Sequence, residues 1–311
     1  MKPKIYIDGK EGTTGLKIFS RLEGRDDIEL LLIEEELRKD AAERRRLMNM
    51  ADVVFFCLPD AAAVEAAQLV ENPGTRIIDA STAHRTAPGW DYGFPELSPA
   101  HRERITNSRR VANPGCHASG FISIVYPLIK SGLLPADCPL TCYSLTGYSG
   151  GGKKLIAEYE DAERDPRHES HRIYGLNLTH KHLPEMTAVC GLERTPVFMP
   201  VLGDFHSGMV TTVMLHNSLL PGKPRAQDIH KLLSQHYAGE HFVSVAEFGG
   251  DESVIYASTL AGTNKMKLTV CGTDELTSIS SEFDNLGKGA SGAAVQNMNI
   301  MLGFEESRGL E

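Results

Sequence analysis

This chain of 311 residues lacks a net positive charge, metal-binding cysteine pairs and long apolar runs. Its six cysteines include no CxxC pair, which fits neither a disulfide framework nor a zinc site. No apolar run approaches the roughly 20 residues that a membrane span needs. The net charge of −9 argues against a nucleic-acid binder, which normally carries a basic patch or stripe. Met1–Gly9 enters a strand pattern directly, without the apolar stretch of a signal peptide. Repeats, low-complexity tracts and flexible linkers are also missing. The expectation is a reduced, cytoplasmic enzyme that binds neither membrane nor nucleic acid and holds no metal. Its length suits two packed units at roughly 100–200 residues per domain.

What is present alternates. Strand patterns at Lys4–Ile7, Ile28–Ile33, Asp52–Cys57 and Arg76–Asp79 interleave with helical patterns at Gly15–Leu22, Leu37–Met50 and Ala61–Glu71. Such interleaving implies βαβ crossovers and a parallel sheet. Ile28–Ile33 is apolar enough to be read as buried on both faces, and the run Glu43-Arg44-Arg45-Arg46 as a solvated helix face. From about Thr141 the pattern changes. Leu140–Leu145, Val210–His216, Val243–Val245, Val254–Thr259 and Lys267–Cys271 read as strands of a mixed or antiparallel sheet, with helices at Ala226–Tyr237 and Gly292–Met301.

Two segments carry chemistry. Gly9-Lys10-Glu11-Gly12-Thr13-Thr14-Gly15 follows the first strand and opens the first helix. Small residues there let the backbone approach a pyrophosphate at the positive end of the helix. Pro59, in the loop after the third strand, would lie beside the same cofactor. Glu34-Glu35-Glu36 ends the second strand, where a ribose-binding carboxylate favours NAD, whereas the nearby Arg38 suits a 2′-phosphate. The residues leave that choice open. The second segment, Asn113-Pro114-Gly115-Cys116-His117-Ala118-Ser119-Gly120, precedes the apolar run Phe121–Leu128. A cysteine at a loop-to-helix junction has its thiolate stabilised by helix-end N–H groups, which also cradle an oxyanion.

Taken together, these motifs resemble N-acetyl-γ-glutamyl-phosphate reductases of the shorter form, over nearly the whole length. The matching pieces are Gly9–Gly15, Asp79-Ala80-Ser81, Tyr92–Leu97, Asn113–Ser119, Gly147–Lys154, His180–Glu185 and Asn285–Asn297. The last is partly shared with aspartate-semialdehyde dehydrogenase and marks the wider superfamily, which also includes the glyceraldehyde-phosphate dehydrogenase type. His117 stands where the longer form has an aromatic residue, and Ser119 replaces a commoner threonine. The stretch after the second strand is more acidic than an NADP enzyme leads one to expect.

The resemblance implies an α/β chain: a Rossmann-type parallel-sheet domain (1–115, plus a C-terminal helix at about 285–311) and an α+β catalytic and dimerisation domain with a mixed sheet (116–284). It implies NADPH-dependent reduction of N-acetyl-γ-glutamyl phosphate to N-acetyl-glutamate 5-semialdehyde, with phosphate release, in arginine biosynthesis. Cys116 would be the nucleophile of a thioester mechanism and His182 the acid–base group, with His180 in reserve and Glu185 placed to orient either ring. Gly9, Gly12, Thr13, Thr14, Gly15, Pro59, Ser81 and Asn285 would hold the cofactor. Asn113, Arg85, His180, Glu185, His206 and Lys153 would meet a substrate that carries phosphate and carboxylate. The expected partners are this small molecule and further copies of the chain, as a dimer or tetramer. The competing readings are a reductase of aspartyl or aminoadipyl phosphate on the same fold, and a non-catalytic nucleotide-binding redox sensor.

Overall fold

The computed structural model describes residues 1–250 and 254–311. They divide into two compact units, Met1–Pro114 with Ala290–Glu311, and Gly115–Gly289.

The first unit runs β1 (Lys4–Asp8), α1 (Thr13–Leu22), β2 (Glu29–Leu31), α2 (Ala41–Met50), β3 (Val53–Phe56), α3 (Asp60–Leu69), β4 (Arg76–Asp79), β5 (Asp91–Tyr92), α4 (Pro99–Asn107) and β6 (Arg110–Ala112). The six strands form a sheet in the order β2-β1-β3-β4-β6-β5, and every pairing in it is parallel. All four residues of β3 are buried, as expected of a central parallel strand covered on both faces. On one of those faces Tyr6, Val54, Phe56 and Ile77 pack with Leu47 and Met48 of α2 and Ala66 of α3.

Three expectations fail here, each for a physical reason. Ile28–Ile33 is not a doubly buried strand. Only Glu29–Leu31 pairs, at the edge of the sheet, with Glu29 exposed and the two leucines half-buried. The helix read from Leu37 begins at Ala41, because the Asp40 carboxylate accepts the Glu43 N–H at 2.7 Å and caps it there. The arginine run is not uniformly solvated. Arg45 and Arg46 pair on the surface with Glu71 and Glu43, but Arg44 turns inward to a bidentate pair with buried Asp8, at 3.1 and 2.6 Å.

The second unit contains α5 (Cys116–Lys130), β7 (Thr141–Gly147), α6 (Gly152–Glu160), β8 (Arg172–Ile173), α7 (Leu183–Cys190), β9 (Val197–Gly203), β10 (Met209–His216), α8 (Ala226–His236), β11 (Val243–Val245), β12 (Met266–Gly272) and β13 (Leu276–Phe283). Its seven strands form a mixed sheet in the order β11-β12-β13-β10-β7-β9-β8. Val254–Thr259 is not a strand, as was expected, but irregular backbone at 254–256 followed by a turn from 257; β13 supplies the pairing partner of both β12 and β10. Helix α5 lies on β10 and β13. Gly120 permits this approach, since a Cβ there would sit 2.4 Å from Thr211 Oγ1. Pro127 inside α5 has no N–H for the Ser123 carbonyl. The Tyr237 hydroxyl donates to that carbonyl at 2.6 Å instead. The chain then re-enters the first unit and ends with α9 (Gly292–Leu302), closed by Gly303 in the left-handed region at φ 70°.

Candidate active site

In the first unit, β1 delivers the chain to Gly9, whose φ of 83° and close approach to the Cys57 carbonyl (2.4 Å from an added Cβ) both require glycine. Gly12 donates to the Gly9 carbonyl at 3.0 Å and forms the extended N-cap of α1. That helix start has no side-chain cap and no acidic residue in its first turn. Thr13 Oγ1 is buried there without a hydrogen-bond partner among the described residues. A Cβ on Gly12 would make ordinary contact with the Gly9 and Cys57 carbonyls at 3.5 and 3.7 Å, so packing within the fold does not itself require glycine here. Beside the loop lies a cavity of about 390 Å³ whose charged lining is Lys10, Arg38, Lys39 and Arg44 with Asp8, Glu11 and Glu35. Glu35 is paired with Arg38 at 2.7 Å. Glycine cradle, uncapped helix start and orphaned hydroxyl all fit a dinucleotide phosphate group.

Pro59 is the N-cap of α3. At the end of β4, buried Asp79 gathers the Ser81 N–H at 2.9 Å, the Ser81 hydroxyl at 2.7 Å and His84 Nδ1 at 2.6 Å. The His84 ring stacks on Trp90 with centroids 4.0 Å apart. Arg85 Nε donates to the Asn113 carbonyl at 3.0 Å and Nη2 to the Ala80 carbonyl at 3.3 Å. The Asn113 amide in turn holds the Ala290 carbonyl at 2.9 Å. Ser81, Arg85 and Asn113 thus share one loop cluster. His84 was not singled out from the sequence, although it lies within the Asp79–Arg85 segment.

In the second unit, Cys116 is the first residue of α5, after Gly115 in extended conformation. The Gly115 N–H donates to Glu185 Oε1 at 2.8 Å. Glu185 belongs to α7, so this bond ties the start of α7 to the start of α5. His182 caps α7 and is 5% exposed. Its N–H donates to His180 Nδ1 at 3.2 Å. The rings of His180 and His182 lie 4.8 Å apart, and that of His117 lies 5.4 and 5.7 Å from them. His117 Nδ1 meets Ser144 Oγ at 2.7 Å, and Nε2 meets the Tyr174 hydroxyl at 2.8 Å. Burial, then the neighbouring His180 and Lys181 charges, push His117 down to about 3. Burial and then Lys181 push His180 down to about 4. Both imidazoles are therefore neutral near pH 7. Burial first, and the nearby Cys116 thiolate second, raise the Tyr174 hydroxyl.

The remaining candidates group elsewhere in this unit, around the turn that follows β7. His206 is exposed, its Nδ1 is 2.7 Å from Ser207 Oγ and its ring 5.5 Å from that of Tyr148. Lys153 is exposed on α6. Asn285, 1% exposed, accepts the Gly208 N–H at 2.8 Å and donates to Ser149 Oγ at 3.0 Å. Tyr174 and Ser144 escaped the sequence reading. Neither lies in a chemistry-bearing motif, and they reach His117 only because β8, β9 and β7 pair side by side. Among the described residues no group of three or more His, Cys, Asp or Glu side chains is arranged to hold a metal.

Comparison with known proteins adds to this geometry. The family model "Semialdehyde dehydrogenase, NAD binding domain" matches residues 4–105, and "Semialdehyde dehydrogenase, dimerisation domain" matches residues 116–285. N-acetyl-gamma-glutamyl-phosphate reductase 2 of Nostoc sp. is 48% identical over 99% of both chains. The N-acetyl-gamma-glutamyl-phosphate reductase of Brucella ovis is also 48% identical, over 97% of this chain and 100% of its own. Among solved structures, aspartate semialdehyde dehydrogenase II of Vibrio cholerae, complexed with ASA, has a TM-score of 0.74 at 14% identity over 97% and 98% of the two chains. The Francisella tularensis aspartate semialdehyde dehydrogenase matches equally well, with a TM-score of 0.74 at 14% identity over 97% and 100%. At that identity the likeness concerns the fold alone.

Proposed function

Because the chain belongs to the N-acetyl-gamma-glutamyl-phosphate reductase family within the semialdehyde dehydrogenases, we propose the following account of its reaction and site. The protein reduces N-acetyl-γ-glutamyl phosphate to N-acetyl-glutamate 5-semialdehyde with phosphate release, in arginine biosynthesis. The observation that carries this is 48% identity over 99% of both chains to a reductase of that name.

Cys116 Sγ attacks the acyl carbon and the carbon–oxygen bond to phosphate breaks, leaving a thioester on the enzyme. Its position on the first turn of α5 favours the thiolate through the helix-end N–H groups. Bound NADPH supplies the hydride that reduces the thioester carbonyl. His182 accepts the thiol proton, gives it to the oxygen as the carbonyl is reduced, and takes it back from the hemithioacetal hydroxyl as that species collapses to aldehyde and thiolate. His182 is preferred over His180 because it caps the helix whose Glu185 holds Gly115, beside Cys116. His180 is neutral at working pH and serves as a substrate contact. Glu185 acts on the nucleophile through the backbone.

The cradle of Gly9, Gly12, Thr13, Thr14 and Gly15 takes the pyrophosphate, with Pro59, Ser81 and Asn285 completing the cofactor contacts. Arg85, Asn113, Lys153 and His206 meet the substrate's phosphate and carboxylate. The cofactor is NADPH in preference to NADH. The support is the placement of Lys10, Arg38 and Lys39 in the lining of the cavity beside β2, with Glu35 already paired to Arg38. The same reading carries a cytoplasmic homo-oligomer, for which the dimerisation-domain match speaks.

The experiment is one assay run in reverse. NADP reduction is followed with N-acetyl-glutamate 5-semialdehyde and phosphate, and separately with aspartate semialdehyde and phosphate. Turnover with the first only is expected, and preference for the second would overturn the substrate assignment. Calorimetric titration of Arg38→Ala with NADPH and NADH tests the cofactor. Loss confined to NADPH is expected, and equal binding of both nucleotides by the unaltered protein would refute the preference.

A further inference from the structure

The hydrogens around His117 can be counted. Ser144 and Thr211 are paired residues of β7 and β10, and both are 0% exposed. Their hydroxyl oxygens lie 2.8 Å apart, and Ser144 Oγ lies 2.7 Å from His117 Nδ1. His117 Nε2 lies 2.8 Å from the Tyr174 hydroxyl. Among the described residues, Thr211 Oγ1 has Ser144 as its hydrogen-bond partner, and Ser144 Oγ has only Thr211 and His117.

A neutral imidazole carries one ring hydrogen, so the chain has two possible directions. If Nδ1 carried it, His117 would donate to Ser144, Ser144 to Thr211, and the Thr211 hydrogen would be buried with no acceptor. That is the costly kind of unmade bond. If Nε2 carries it, Thr211 donates to Ser144, Ser144 to Nδ1, and Nε2–H to the Tyr174 oxygen, and every buried hydrogen is used. The Tyr174 hydroxyl then keeps its own hydrogen for an acceptor outside the chain. Its side chain is half-buried, beside His180 at 6.1 Å between ring centroids. It meets His117 Nε2 at 2.8 Å, and His117 directly follows Cys116 at the start of α5; burial raises the Tyr174 hydroxyl. The phenol thus stays protonated.

We propose that Tyr174 is a further catalytic residue, a hydroxyl donor to the oxygen of the acyl group attacked by Cys116, aimed outward by a buried relay from Thr211 through Ser144 and His117. The inference rests on the reductase reading above. Tyr174 keeps its proton and stabilises the negative charge that builds on the acyl oxygen as Sγ adds. His117, Ser144 and Thr211 are positioning residues, which act only through Tyr174.

Two measurements decide it. Nitrogen-15 spectra of the intact protein, with the His117 signal assigned by its loss in His117→Gln, should show the Nε2–H tautomer; the Nδ1–H tautomer would overturn the relay. Tyr174→Phe removes the hydroxyl and keeps the ring. Its kcat should fall about 10²-fold, as for removal of one oxyanion donor, with KM changed by less than about threefold. A kcat within about threefold of the unaltered enzyme, or a loss confined to KM, would overturn the donor role. Should Tyr174→Phe fail to fold, the tautomer of the unaltered protein still decides the direction of the relay. Absence of turnover in the unaltered enzyme would instead sink the reductase reading, and the tautomer measurement is independent of it.

Discussion

Removal of the Glu185 carboxylate should damage both the stability of the second unit and the chemistry at Cys116, while sparing nucleotide binding. Glu185 is 2% exposed, and its Oε1 accepts the buried Gly115 N–H at 2.8 Å. A hydrogen bond to a charged group contributes about 1.5–3 kcal/mol, and a buried donor left unmade costs a similar amount. Glu185→Ala should therefore lose about 2–3 kcal/mol, which lowers Tm by on the order of 4–12 °C for a unit of this size. Glu185→Gln retains a carbonyl acceptor and should lose only about 1 kcal/mol. Turnover should follow the same order. Gly115 directly precedes the nucleophile, and a displacement of about 1 Å at a reacting centre costs about 10²-fold. The assays are thermal unfolding, steady-state turnover, and calorimetric NADPH titration, whose outcome should not change because the nucleotide cradle belongs to the other unit. A Glu185→Ala protein with unchanged Tm and turnover would refute the reasoning.

Other predictions follow from the same contacts. His117 and His180 lie below the ordinary histidine value of 6.5, at about 3 and about 4. Between those values and 6.5 the unfolded chain binds more protons than the folded one, so stability should fall as pH drops from about 7 to about 4. Urea unfolding across that range checks this, and His117→Gln should flatten the slope; a flat profile in the unaltered protein would count against buried neutral rings. Gly12→Val should fold, since a Cβ there meets nothing nearer than 3.5 Å, yet bind nucleotide more weakly; unchanged NADPH affinity would remove the pyrophosphate from this loop. Gly120→Ala forces a Cβ to 2.4 Å from Thr211 Oγ1 and should cost about 1–3 kcal/mol by overpacking, read by chemical denaturation.

Local pattern made the parallel sheet legible. Val53–Phe56 is continuously apolar because both its faces are covered, and the strand and glycine turn that lead into α1 occupy consecutive residues, Lys4–Asp8 and then 9–12. Hydropathy could not tell that Ile28–Ile33 lies at an edge, since edge or centre depends on the order of strands brought in from elsewhere in the chain. Arg44 defied the solvated-face reading because its partner, Asp8, is 36 residues away. Asn113–Ser119 and His180–Glu185 read as chemical motifs. The bond between Gly115 and Glu185 spans 70 residues and exists only once α7 packs on α5. Ser144, Tyr174 and Thr211 were invisible for the same reason, being an ordinary serine, tyrosine and threonine until the sheet brings them to His117.

The account stands or falls on a covalent intermediate at Cys116. The direct measurement is mass spectrometry of enzyme quenched after mixing with N-acetyl-γ-glutamyl phosphate in the absence of NADPH. The account predicts one N-acetylglutamyl adduct on the peptide that contains Cys116, discharged on adding NADPH and absent from Cys116→Ala. No adduct on that peptide, or turnover by Cys116→Ala close to that of the unaltered enzyme, would contradict it.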